Sequence, residues 1–220
     1  MQPCISVLLV DDHAVVREGY RRLLDLEPGM RVCGEAADAA VAYQRFCVLQ
    51  PEVVIMDISL PGTSGIEAMR RMLARDSAAR ILIFSVHEDS VFVRRALDAG
   101  ATGYVTKSSA PDVLVEAVHA VARGVRYLSA DVAHARSAND ALREGLPHRR
   151  LSAREFEVLR LLVQGYTLRH IAERLGVSQK TVANHQSAIR RKFGADNSVQ
   201  LARIASRSGV LLSSASLSPA

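Results

Sequence analysis

The chain has 220 residues, 49% apolar and 23% charged, with a formal net charge of +5, which is ordinary for one or two globular domains. No run approaches the roughly 20 apolar residues that cross a bilayer, and Met1–Pro3 lead directly into a strand pattern without a signal-peptide pattern, so the expectation is a cytoplasmic protein with no membrane partner. Cys4, Cys33 and Cys47 are odd in number and make no CxxC pair, which argues against a disulfide framework or a zinc site.

Residues 1–122 alternate short apolar runs with amphipathic stretches. The pattern predicts strands near Ile5–Val10, Arg31–Ala36, Val53–Asp57, Arg80–Ser85 and Thr102–Val105, and helices near Ala14–Glu27, Asp38–Leu49, Gly65–Arg75, Glu88–Ala99 and Asp112–Arg123. Such alternation implies an α/β fold, a five-stranded doubly wound parallel sheet covered on both faces. Gly29, Gly34 and Gly100 fall where helices end or turns tighten, and left-handed backbone is expected there. From about Gly124 to Arg150 the periodicity fades into an Ala-, Ser- and Arg-rich stretch that reads as a linker, with room for one short helix. After it come only helical signals, and then a Ser-rich tail, LLSSASLSPA, too weakly patterned to predict an ordered element. The resulting division is 1–122, a linker over 123–148, a helical domain over 149–208, and a flexible tail over 209–220.

Charge follows the same division. Residues 1–122 hold 12 Lys/Arg against 16 Asp/Glu, a net of −4, and residues 123–220 hold 16 against 7, a net of +9. Two domains with different partners are implied, the basic one facing a polyanion.

Ligands of an open parallel sheet collect at the carboxyl ends of its strands. Asp11 and Asp12 stand there after the first predicted strand, Asp57 at the end of the third, Ser85 after the fourth and Lys107 after the fifth. Singly, Asp12 reads equally well as a helix cap, Lys107 as a surface lysine and Ser85 as a turn residue. Three converging carboxylates, however, repel one another unless something cationic joins them. Oxygen ligands of this kind suit a hard divalent ion, Mg²⁺ above all. With the ion and Lys107 neutralising a phosphoryl group in transfer, an aspartate carboxylate can act as nucleophile and form an acyl phosphate.

The stretches VLLVDDH, VVIMDISLPGTSG, ILIFSV and GATGYVTK resemble, in register over residues 4–122, the signature segments of two-component response-regulator receivers. The resemblance implies that Asp57 is the phospho-acceptor, that Asp11 and Asp12 hold Mg²⁺ together with Asp57 and the Ser59 backbone carbonyl, and that Lys107 pairs with the phosphoryl oxygens. It further implies that Ser85 turns toward the phosphate and that Tyr104 swings inward with it. Two positions depart from the pattern: Val86 is branched where small residues are common, and Ser108 stands where many receivers carry proline.

The basic half contains four helix signals between Leu151 and Ala205. Ser152-x-x-Glu155 is a capping-box pattern, continued at helical spacing by Phe156, Leu159 and Leu162 or Val163. A short helix carrying Ile171, Ala172 and Leu175 stops at Gly176, Ser178 is placed to cap a longer one running to about Phe193, and Ser198 to cap a fourth. Short helix, glycine turn and capped longer helix make a helix-turn-helix, whose longer member enters the major groove. Along it Val182, Ile189 and Phe193 form a core stripe, while Lys180, Asn184, Ser187 and Arg191, flanked by Ala183 and Arg190, form a polar one. A solvated face is the usual reading of a single charged stripe, but residues 149–207 carry 12 Lys/Arg against 4 Asp/Glu, an excess suited to neutralising phosphates.

Glu155, Val158, Leu159, Gly165, Ile171, Ala172, Leu175, Ser178, Lys180-Thr181-Val182, His185 and Lys192 make this segment resemble the LuxR-type helix-turn-helix that ends NarL/FixJ-family response regulators. By that match Thr181 and Lys192 touch DNA phosphates, Ala183, Asn184 and Ser187 lie toward base edges, and His185 is open to both burial and DNA contact. The partners implied are a sensor histidine kinase, double-stranded DNA and, on activation, a second copy of the chain, and the function implied is transcription regulation rather than enzymatic turnover. Two other classes compete: a phosphotransferase or phosphatase with an aspartate nucleophile, which would need a second acid/base group where this chain has Ser59, and a DNA-binding regulator whose receiver only dimerises, independently of phosphate.

Overall fold

Residues 4–133 apart from 89, and 151–204 apart from 198, 199 and 202, are described in this computed structural model, with the backbone alone at 153. They belong to two compact units, Met1–Ala141 and Leu142–Ala220.

In the first unit the central apolar runs become strands covered on both faces, which is why those runs are continuous rather than alternating. The strands are β1 (Ile5–Val10), β2 (Met30–Ala36), β3 (Val53–Met56), β4 (Ile81–Ser85), β5 (Gly103–Thr106) and β6 (Tyr127–Leu128). All neighbours pair in parallel, in the order β2-β1-β3-β4-β5-β6. The helices between them are α1 (Ala14–Leu26), α2 (Ala39–Leu49), α3 (Gly65–Arg75), α4 (Ser90–Asp98) and α5 (Pro111–Ala122). One face of the sheet buries Val7, Leu9, Ile55, Leu82, Phe84 and Val105 against Leu24 of α1 and Leu114, Val118 and Val121 of α5.

The sheet has six strands, not the five expected. β6 lies in the stretch read as the start of a linker: Tyr127 N–H donates to Thr102 O at 3.3 Å and Ser129 N–H to Tyr104 O at 3.1 Å, and residues 130–133 are helical. Two residues are too few to show a period, and their attachment is made by backbone groups. Gly29 and Gly100 have the expected positive φ, 84° and 103°. Gly34 does not. It sits inside β2, where the pairing with β1 shifts between Val7 and Leu8, and a Cβ there would meet Leu49 Cδ1 at 2.5 Å. Its requirement is close packing, not a left-handed turn.

The second unit contains α6 (Ala153–Val163), α7 (Leu168–Arg174) and α8 (Gln179–Phe193). Ser152 and Glu155 form both bonds of the capping box, and Ser178 caps α8 by accepting from Thr181 N–H. Buried positions on α6 include Phe156, Val158, Leu159 and Leu161, whereas Leu162 and Val163 are only half-buried. Ser198, the expected cap of a fourth helix, lies outside the described residues. The expected fourth helix is not established: among the described residues 200, 201, 203 and 204 are helical, and Asn197 Oδ1 accepts from Gln200 N–H at 2.8 Å and its carbonyl from Leu201 N–H at 3.0 Å. Among the described residues no helix is long and apolar enough to cross a membrane.

Candidate functional site

The strand order reverses at β1, leaving a crevice between the carboxyl ends of β1 and β3. Asp11 and Asp57 stand on its two sides, one residue past their strands. The ladder fixes both, since Asp11 N–H donates to Ala36 O and Asp57 N–H to Val10 O, each at 3.0 Å. Both are 2% exposed. Lys107, one residue past β5, donates its own N–H to Ser85 O at 2.8 Å and sends its side chain over the crevice. Its Nζ lies 2.6 Å from Asp11 Oδ2 and 2.6 Å from Asp57 Oδ2. Burial alone would lower the Lys107 pKa; the two carboxylates outweigh it and raise it above the usual ammonium value.

The remaining carboxylate oxygens are also engaged. Asp11 Oδ1 accepts from His13 N–H at 2.8 Å, Asp57 Oδ1 from Ser59 N–H at 3.2 Å, and the exposed Asp12 lies 2.8 Å from His13 Nδ1. Ligand-capable atoms of Asp11, Asp12, His13 and Asp57 all lie within 4.8 Å of one another. Three hard carboxylates at that spacing fit a small oxygen-seeking divalent ion.

The loop after Asp57 is shaped by Gly65. A Cβ on Gly65 would fall 1.8 Å from the Asp57 carbonyl oxygen, and Gly65 N–H donates to Ile58 O at 2.9 Å. The start of α3 is therefore pressed against the Asp57 backbone, an approach only glycine permits. Behind the crevice Ser85 and Tyr104 are fully buried, and Tyr104 OH already points inward, donating to His87 O at 2.6 Å. The His87 ring stacks on Phe92 with centroids 4.1 Å apart and places Nε2 2.9 Å from Ser59 Oγ. Val86 is 63% exposed. The Lys107–Ser108 peptide is trans.

In the second unit Val182, Ile189 and Phe193 of α8 are buried, while Lys180, Asn184, Ser187 and Arg191 are exposed along one side with Ala183 and Arg190 half-buried beside them. The expected core and polar stripes are thus both present. Arg190, Arg191 and Lys192 occupy the last turn of α8, where cations also suit the helix dipole.

Two family models match in sequence along the chain: the response regulator receiver domain over residues 7–119 and the LuxR family of bacterial regulatory proteins over 149–205. The chain belongs to the NarL/FixJ family of two-component response regulators. It is a DNA-binding transcription regulator built from a receiver and a LuxR-type helix-turn-helix. Among its relatives, the transcriptional regulatory protein DegU of Brevibacillus brevis is 35% identical over 213 residues, covering 89% of this chain and 90% of the relative. Response regulator UvrY of Escherichia coli is 34% identical over 208 residues, covering 94% and 95%. A crystal structure of a LuxR-family two-component response regulator from Aurantimonas is 48% identical with a TM-score of 0.62, covering 63% of this chain and all but 1% of its own, that is 99%. The RcsB–DNA complex, at 27% identity and a TM-score of 0.60, covers 92% of this chain and 98% of that one.

Several of the regulator's anticipated DNA contacts have partners within the protein. Lys192 Nζ lies 2.6 Å from Glu155 Oε2, the same carboxylate that closes the capping box of α6. Burial alone would raise the Glu155 pKa, but the bonds from Lys192 and Ser152 lower it. His185, which the sequence left open, is half-buried, and burial lowers its pKa. Thr181 Oγ1 is 2.8 Å from Ser178 Oγ, and Ser187 Oγ donates back to Ala183 O at 3.0 Å. Sequence reasoning missed Arg154, which is 7% exposed, pairs with Glu157 at 2.8 Å and donates to the carbonyl of Leu175 at the end of α7. Its Arg-x-x-Glu spacing looks like any surface helical pair, so only the fold distinguishes it. In the receiver Arg17 was likewise passed over: it donates to Asp11 O at 2.6 Å and to Glu35 at 3.0 Å, steadying the acidic loop.

Proposed function

We propose that the regulator accepts a phosphoryl group on Asp57 from a sensor histidine kinase and binds operator DNA as a homodimer once modified. The observation that carries this reading is the pair of buried carboxylates, Asp11 and Asp57, sharing one ammonium at the switch point of the sheet. Held charge of this kind serves a site where a further anion arrives, because Lys107 can pivot from carboxylate to phosphoryl oxygen without leaving the crevice. In the transfer an Asp57 oxygen attacks phosphorus, the bond from phosphorus to the donor's histidine nitrogen breaks, and that nitrogen keeps the electron pair and takes up a proton. Asp11, Asp12, Asp57 and the Ser59 carbonyl would hold Mg²⁺, which when bound would neutralise the phosphoryl oxygens. Ser85 offers its hydroxyl to the modified group, while Ser59 and His87, bonded across the crevice, limit the space from which water can attack.

On this reading the protein turns over no substrate of its own and works in the cytoplasm, with a receiver over 1–122, a linker over 123–148, a DNA-binding domain over 149–208 and a tail over 209–220. Tyr127 and Leu128, within the span read as linker, pair with Gly103 and Tyr104 of β5. On DNA, Lys180, Arg190 and Arg191 neutralise phosphates, Asn184 reads a base edge with Ala183 and Ser187 beside it, and Thr181 and Lys192 approach the backbone from the ends of α8.

Acetyl phosphate with Mg²⁺, followed by phosphate-affinity electrophoresis, tests the central step. Wild type is expected to shift in a Mg²⁺-dependent manner and Asp57→Ala to stay unshifted. A shifted Asp57→Ala would overturn the acceptor assignment, and an unmodified wild type would favour a receiver that only dimerises.

A further inference from the structure

A chain of hydroxyls runs from the loop after β4 to the segment that leaves the receiver. Glu88 Oε1 accepts from Ser108 Oγ at 2.7 Å, Ser108 Oγ lies 2.9 Å from Thr106 Oγ1, and Thr106 Oγ1 donates to Asp131 Oδ2 at 2.6 Å. Ser109 Oγ adds a contact to Thr106 Oγ1 at 3.0 Å. Thr106 is fully buried, whereas Glu88, Ser108 and Asp131 are exposed.

Counting protons shows why this chain has two states. A carboxylate only accepts, and each hydroxyl has one proton to give. Between Glu88 and Asp131 there are three oxygen–oxygen contacts but only the Ser108 and Thr106 protons to fill them. With Ser108 donating to Glu88 and Thr106 to Asp131, the Ser108–Thr106 contact has no proton, and Ser109 alone donates to Thr106. If Glu88 withdraws, Ser108 turns its proton to Thr106 as a second donor beside Ser109, and the added bond further strengthens the Thr106 donation to Asp131.

Both ends are attached to parts that matter. Glu88 follows His87, whose carbonyl takes the Tyr104 hydroxyl, and lies three residues beyond Ser85. Asp131 belongs to the helical residues 130–133, tied to β5 through Ser129 N–H on Tyr104 O, with Val132 fully buried and Ala133 N–H on Ser129 O at 2.9 Å. Beyond it the chain continues to the DNA-binding unit.

We propose that Ser108 and Thr106 are positioning residues that transmit the state of Asp57 to Asp131: phosphorylation draws the β4–α4 loop and Glu88 away, and Ser108 then reinforces the grip of Thr106 on the segment leaving the receiver. The inference rests on Asp57 being phosphorylated. It gives a role to Ser108, one of the two departures from the receiver pattern, that proline could not fill.

Hydrogen exchange of the full-length protein, with and without acetyl phosphate and Mg²⁺, reads the effect at the Ala133 amide. In wild type, exchange there is expected to slow by about threefold on phosphorylation, the scale of a cooperatively strengthened bond. Ser108→Ala, an exposed substitution, should accept phosphate as wild type does yet lose that slowing, and Thr106→Val should do the same. Asp131→Ala should exchange fast in both states, while Asp131→Asn, which keeps an acceptor oxygen, should restore the response. A phosphorylated Ser108→Ala protein that keeps the full slowing, or a phosphorylated wild type that shows none, would overturn the relay. A wild type that takes no phosphate would instead remove the reading beneath it.

Discussion

Replacing Gly65 with alanine tests how rigidly the fold holds the acceptor. The added Cβ would lie 1.8 Å from the Asp57 carbonyl oxygen, 2.8 Å from its carbon and 3.1 Å from Ile58 Cα, all backbone atoms that no rotamer change can move aside. To reach an ordinary contact the start of α3 and the Asp57 peptide must separate by about 1 Å or more, and overpacking of this kind costs about 1–3 kcal/mol. The Gly65 N–H bond to Ile58 O would stretch with it. Because Asp57 belongs to the moving peptide, its carboxylate shifts relative to Lys107 and Asp11, and a displacement of about 1 Å at a reacting group can slow chemistry on the order of 100-fold. Gly65→Ala is therefore expected to lose most of its phosphorylation rate with acetyl phosphate and Mg²⁺ while its receiver still folds, with a melting temperature lowered by several degrees. Phosphorylation within threefold of wild type at an unchanged melting temperature would mean that α3 does not fix the Asp57 backbone.

Lys107→Ala leaves Asp11 and Asp57 buried without their shared cation, and removing one partner of a buried pair costs about 3–5 kcal/mol; Mg²⁺ should raise its melting temperature more than that of wild type, and an equal response would contradict a common counter-charge role. In the DNA-binding unit the folded-state pKa of Glu155 is depressed, so its contribution is present above the unfolded carboxylate value of about 4.3 and disappears as pH falls through the lower folded value. Exchange protection of α6–α8 should accordingly drop on acidification in wild type and drop less in Glu155→Gln. Asn184→Ala should lose about 1–3 kcal/mol of discrimination at one base position, measured as the ratio of selected to random duplex affinity, and equal losses on both would exclude base reading. Lys192→Ala should weaken binding to all duplexes and reduce the salt slope by about one; an unchanged slope would mean that Lys192 stays on Glu155 when DNA binds.

The sheet was legible wherever a strand is long enough to be buried on both faces. Val53–Met56 and Ile81–Ser85 are unbroken apolar runs whose side chains are all buried, so composition alone reveals them. β6 was not, because Tyr127–Leu128 attaches through backbone bonds that any sequence can make. Gly34 shows the opposite difficulty: glycine signals that a Cβ is unwelcome, but it does not say whether the reason is φ or a neighbour, and here the neighbour is Leu49.

The candidate site divides along a similar physical line. Position along a strand is a one-dimensional property, so Asp11, Asp57, Ser85 and Lys107 could be placed at carboxyl ends by counting, and parallel order then brings those ends to one edge. Partnership between side chains is three-dimensional. Nothing in the spacing of α8 indicates that Lys192 meets Glu155, 37 residues earlier, or that Ser187 donates to its own helix. The helical period correctly identifies the solvent-facing stripe, yet within it Lys180, Asn184 and Arg191 are exposed while Lys192 is paired with Glu155. A polyanion that recruits Lys192 must first compensate Glu155, which also caps α6. Binding through that lysine would thus loosen the start of α6 and be weaker than its charge alone implies, whereas among the described residues Lys180 and Arg191 pair with no carboxylate.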